Sequence, residues 1–257
     1  MSRGNYGEFY ARDFGWCVQG LLALGQRERV LVTLRYALER YRKVGRITVA
    51  ISPRGVPFDF PDCPSLDSVA YFFHALRLAE AADLVAEYHL FLEAQVRWVS
   101  GCLIDKDGLP RPIRFSGMRD HAVRSQSCYD TAALGLLSAS ASALGIETCL
   151  PSVKEYGRLL RSRFWVGTHF RDDLSGEKHV TADANVFPFW WGIVTDRRML
   201  ESALGASQEE GLDAPLPLKY VSGKVSERMI WVERFVPGWE RDAIWAHMAM
   251  PFMELLA

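Results

Sequence analysis

The chain has 257 residues, with 30 Lys plus Arg against 31 Asp plus Glu and a formal net charge of −1. That balance gives no electrostatic reason to expect a nucleic-acid or anionic-membrane partner, both of which favour a clustered basic excess. Hydrophobic residues at 49% and charged residues at 24% are ordinary globular usage, which excludes wholesale disorder and suits a single domain over 1–257.

Helical periodicity dominates. After Asp13, residues Phe14, Cys17, Val18, Leu21 and Leu22 keep to one helix face. Gly25 ends that run, and a second helix follows with Val30, Leu34, Ala37, Leu38 and Tyr41. The pattern returns after Asp67 with Val69, Phe72, Phe73, Leu76 and Ala79, and again from Leu84 through Tyr88, Phe91, Leu92 and Trp98 to Val99. A third pair starts near Tyr129 and runs to Leu144, its partner beginning around Pro151, a residue suited to a first helical turn. A fourth starts after Asp183, and a last helix is predicted from about Arg241 to the end of the chain.

Links inside each pair are short, and links between pairs are long: roughly Val44–Leu66, Gly101–Ser127, Gly167–Ala182 and Gly205–Glu240. Short links make neighbouring helices antiparallel, so the long loops are expected at one end of the assembly. Such a hairpin rhythm, without a sequence repeat, suits an all-α toroid or solenoid of about nine to eleven helices. Within the long loops, Arg46–Asp62 alternates apolar and polar residues around Pro and Gly. The segment THFRDDLSGEKHVTA carries a Ser175–Gly176 turn, and both read as small β-hairpins.

The N-terminal MSRGNYGEFYARD has no apolar signal segment, and no apolar stretch is long enough to cross a bilayer. Five cysteines without a C-x-x-C pair read as reduced thiols, which fits a cytoplasmic setting. Two Asn in the whole chain fit a thermophile source, although Arg richness has other origins. The six His show no metal-binding spacing, and no Gly-rich phosphate loop follows a strand, so neither metal nor cofactor is expected.

Asp13, Asp67, Asp130 and Asp183 all stand at the starts of first helices of pairs. Each alone reads as a cap or first-turn acid, meeting orphan N–H groups and the positive helix end. Together, on one rim, they would make a polar pit for hydroxyl groups. Trp16, Trp190, Trp191, Trp239 and Trp245 fall in the same regions. Most read as core, with one or two free to stack on a sugar.

These segments resemble a family. ARDFGWCVQGLLAL is similar to the R-D helix opening of glucoamylase-type glycosidases, and PSLDSVAYFFHALRLA to their next substrate-side helix. VERFVPGWERDAIWAHMAM resembles the closing segment that carries the family's catalytic base. TADANVFPFWWGIV is similar to a D-A-N segment of debranching-type and invertase-type relatives. The resemblance implies a six-hairpin (α/α) barrel and an inverting glycoside hydrolase acting on an oligosaccharide or glucan. It implies sugar binding by Arg12 and Asp13, with Trp16, Asp67, Asp130, Asp183 and Trp245 around them, and Glu233 as base. The family's W-E-E-type acid segment is missing. Asp120 in FSGMRDHAV is the nearest acid in register, with Asp130 in reserve. A full barrel has twelve helices, so the ring would be incomplete, closed by 205–240, or completed by another copy in a homo-oligomer. Two rivals stay open: a sugar epimerase using His179 and His247, and a non-catalytic helical scaffold that binds sugar or protein.

Overall fold

The computed structural model describes residues 7–60, 63–176, 178–215, 218–222 and 227–257. The fold is mostly helical, with one small sheet. No helix among the described residues is long and apolar enough to cross a membrane. The chain gathers into two compact units. One takes the described residues of 1–108, 115–117 and 136–150; the other takes those of 109–114, 118–135 and 151–257.

In the first unit, β1 (Phe9–Tyr10) leads directly into α1 (Ala11–Ala23), and α2 (Arg27–Val44) follows a turn at Gly25, whose φ of 72° suits glycine. The face of α2 read from the sequence is the buried one: Val30, Leu34, Ala37, Leu38 and Tyr41 are all fully buried. The expected hairpin after α2 forms as β2 (Ala50–Ile51) and β3 (Pro57–Phe58), with β1 on the other edge of β2. Next comes α3 (Leu66–Leu78), capped by the Ser65 hydroxyl, which accepts from the Ser68 amide. Helices α1 and α3 meet closely at Gly15, where an added Cβ would lie 2.6 Å from the Tyr71 Cβ. The expected helix from Leu84 to Val99 is divided at Tyr88, whose backbone leaves helical geometry, into α4 (Ala82–Glu87) and α5 (His89–Trp98). A π-helical turn at Val99–Leu103 ends it.

Helix α6 (Cys128–Ala143) gives its beginning to the second unit and its end to the first. In the second unit, α7 (Val153–Leu159) starts two residues later than Pro151 would place it. Ser152 is its N-cap, in a reciprocal capping box with Glu155. The hairpin expected around Ser175–Gly176 closes through a bridge between Arg171 and Val180. Helix α8 (Ala182–Trp190) is buried along almost its whole length and packs on α9 (Arg197–Glu209) and α10 (Ala246–Leu256). The Asn185 side chain ties that hairpin to α8: it accepts from the Phe170 amide at 2.8 Å and donates to the carbonyls of Phe170 and Thr181 at 2.9 and 2.8 Å. The last helix begins at Ala246, not near Arg241. The backbone before it is drawn into bridges, Lys219 with Ile244 and the Trp245 amide onto the Leu218 carbonyl, which extended chain can make and a helix cannot.

Candidate functional site

All four first-turn acids sit where the helix starts put them: Asp13 in α1, Asp67 in α3, Asp130 in α6 and Asp183 in α8. Their surroundings differ. Asp13 is exposed. Asp67 is fully buried; its Oδ2 accepts from Arg12 at 3.2 Å and its Oδ1 from the Ser65 hydroxyl at 3.2 Å. Arg12 also donates to the Gly117 carbonyl. Trp16 is half-buried, edge-on to Tyr71.

In the second unit, Asp130 is buried and exchanges hydrogen bonds with Ser127: its amide donates to the hydroxyl at 3.0 Å, and the hydroxyl donates to Oδ2 at 2.6 Å. Asp183 is fully buried, and its Oδ2 accepts from Arg124 at 2.8 Å. Both carboxylates thus have internal partners, and Arg124, the partner of Asp183, lines a cavity of about 300 Å³. Asp172, His179 and Glu227 line the same cavity.

The cavity wall is a network of charges that the sequence did not announce. Arg119, with 1% of its surface exposed, forms a two-pronged pair with Glu227, Nη1 to Oε1 at 2.8 Å and Nη2 to Oε2. Its guanidinium also lies 5.6 Å from the Tyr220 ring centroid. Arg124 Nη1 reaches Asp172 Oδ1 at 3.3 Å as well as Asp183. His179 Nε2 lies 3.1 Å from Glu227 Oε1. Burial pushes the Glu227 carboxyl up, but hydrogen bonds from His179 and Arg119 outweigh it and hold the group down at about 2. Burial pulls the His179 imidazole down, and the Glu227 hydrogen bond with the Asp172 charge lifts it above its ordinary value. Asp172 is raised, by burial first and by Asp183 against the pull of Arg124.

Of the residues expected to do chemistry, Asp120 meets Glu240 through its backbone amide, and Glu233 meets the neighbouring His121. Glu240, 4% exposed, accepts from the amides of Asp120 and His121 at 2.7 and 2.6 Å. The next residue's ring, His121 Nδ1, lies 2.8 Å from Glu233 Oε2, while Glu233 Oε1 accepts from the Gly238 amide at 2.9 Å. Burial raises the Glu240 carboxyl, the charge of Asp120 adds to it, and the hydrogen bond from the His121 amide opposes both. Around Glu233 the surface is aromatic. Trp231 and Phe235 are 69% and 73% exposed and meet edge to face. Trp239 meets half-buried Trp245 with centroids 4.6 Å apart. Trp190 and Trp191 belong to the packing of α8, with Trp191 tilted against Tyr129 and Phe187.

Residues 119–127 thus form a strap whose members are taken one after another by acids from two other segments. Arg119, Arg124, Asp172, His179, Glu227 and Glu240 were not singled out as a group in the sequence. Their partners lie 48 to 120 residues away, and no local spacing marks them. The chain matches no known family model and no curated protein.

Proposed function

We propose that the chain is a glycoside hydrolase that cleaves an O-glycosidic bond of an oligosaccharide or glucan by inversion, with Asp120 as acid and Glu233 as base. The observation that carries this reading is that the consecutive residues Asp120 and His121 are tied to Glu240 and Glu233, beside the exposed rings of Trp231 and Phe235. In such a reaction Asp120 gives a proton to the leaving oxygen while Glu233 takes one from a water that attacks the opposite sugar face. The two carboxyl groups then need roughly 6.5–9.5 Å between them to admit that water. The His121 and Gly238 contacts hold both Glu233 oxygens in fixed directions, which is what a base that must aim a water requires. Trp231, Phe235, Trp239 and Trp245 offer flat apolar faces to the C–H sides of sugar rings. On this reading Asp183 acts on the sugar through Arg124, and Asp130, held by Ser127, keeps the sugar-binding part that the resemblance implies. Arg12, Asp13, Trp16 and Asp67 keep the hydroxyl-binding parts that the resemblance implies, in an (α/α) toroid. A cytoplasmic setting is part of the same proposal and is consistent with five free cysteines.

The test is hydrolysis of α- and β-linked gluco-oligosaccharides, with the anomer of the released sugar followed by NMR. Inverted product is expected. Glu233→Gln and Asp120→Asn should each lower kcat by about 10²–10⁴-fold with the circular dichroism unchanged. Retention of configuration, or full activity in both variants, would overturn the assignment. Altered epimer ratios of free sugars without new reducing ends would shift the reaction to proton transfer at carbon.

A further inference from the structure

We propose that Asp172, His179 and Glu227 form a binding site for one divalent transition-metal ion, manganese or zinc, which ties loop 170–181 to the segment starting at Glu227. One donor atom from each of the three lies within 4.8 Å of the others. Donors that share an ion at bond lengths of about 2.0–2.2 Å stand roughly 3.0–4.4 Å apart, so the set closes around an ion with shifts of a few tenths of an ångström. His179 Nε2 and Glu227 Oε1, at 3.1 Å, already have the separation of two adjacent ligands.

A second, independent observation concerns Asp172. The residue is 4% exposed, and its Oδ1 is taken by Arg124 and by the Thr181 hydroxyl, at 3.3 and 3.4 Å. Its Oδ2 accepts no hydrogen bond from any described residue; the nearest cation, Arg119 Nη1, is 3.7 Å away. That oxygen is not sealed away among the described residues, and Asp172 lines the cavity, so its lone pairs are open to an ion held there.

The guanidiniums suit an outer shell. Arg119 grips Glu227 and Arg124 grips Asp172, which fixes the directions of the two carboxylates as hydrogen-bonded ligands require. One imidazole and two carboxylates are a borderline donor set that suits manganese and zinc better than a softer ion. The cavity supplies room for water to complete the shell. Binding adds the ion and releases any proton held on His179 Nε2 to solvent, with no change of redox state.

The full chain, stripped with a chelator and dialysed, is titrated with Mn²⁺ alone while the free aqua-ion signal is followed by electron paramagnetic resonance. Manganese is chosen because exposed Cys17, Cys102 and Cys149 compete for it less than for zinc. One ion per chain is expected, with at least tenfold weaker binding in His179→Gln and in Asp172→Asn. Pulsed measurements on the unmutated chain should show a directly bonded ¹⁴N, lost in His179→Gln, a readout that holds even where Asp172→Asn fails to fold. Fewer than about one ion per ten chains at millimolar Mn²⁺, binding in both variants equal to that of the unmutated chain, or no nitrogen coupling would each overturn the site. No substrate enters the measurement, so its outcome is independent of the hydrolytic reading.

Discussion

Two glycines five residues apart on α1 show how one missing methyl group is used in opposite ways. A Cβ at Gly15 would meet Tyr71 at 2.6 Å, whereas a Cβ at Gly20 would meet nothing within 4 Å. Gly15→Ala is expected to lower the unfolding free energy by about 1–2 kcal/mol, overpacking exceeding the gain in helix propensity, and Gly20→Ala to raise it by about 0.5–1 kcal/mol. Urea midpoints of the two variants check both signs. His74 on α3 makes a different prediction. Burial and neighbouring Arg77 push its imidazole down to about 4, and its Nδ1 lies 3.0 Å from Arg77 Nη2 as an acceptor. The folded value is below the unfolded one, so the unfolded chain binds more protons between pH 6.5 and 4, and stability falls as pH drops through that window. At pH 5 this one group should account for about 2 kcal/mol of lost stability relative to pH 7.5. His74→Gln should remove most of that acid sensitivity in a pH series of denaturant melts; an unchanged slope would assign it elsewhere.

Among elements, the strap 119–127 concentrates the chemistry. Its backbone is held by Glu240, its side chains by Asp172, Asp183, Glu227 and Glu233, and it includes Gln126 at φ 55°, an uncommon conformation for a residue other than glycine. Glu240→Gln keeps the size and replaces one acceptor oxygen by a donor that faces backbone N–H groups. It should cost about 1–3 kcal/mol, and on the hydrolytic reading it should lower kcat more than it raises KM, because the strap positions both carboxylates. Much at this scale was legible in the sequence. The buried stripe of α2, the 50–58 hairpin and the first-turn places of Asp13, Asp67, Asp130 and Asp183 are all local, set by period, turn residues and caps within a few positions. The Arg119–Glu227 and His179–Glu227 pairs were not, because 108 and 48 residues separate the partners and neither flank carries a periodic signal. The start of α10 is hidden from local sequence for a similar reason: the backbone partners of Ile244 and Trp245 are Lys219 and Leu218.

At the scale of the whole molecule, neither compact unit is a continuous stretch of chain, and α6 belongs partly to each. Denaturant unfolding followed by near-ultraviolet and far-ultraviolet dichroism should therefore give coincident transitions, since α6 cannot melt in one unit and persist in the other without breaking its own ladder. Two separated midpoints would contradict this. The handover along α6 also has a consequence for anyone who divides the gene. A fragment ending at residue 108 leaves 136–150 behind, and with it the buried Leu136, Leu137 and Ala141 that belong to the same compact unit. Expressed alone, such a half should collect in inclusion bodies, and solubility should return only when the missing half is co-produced in the same cell.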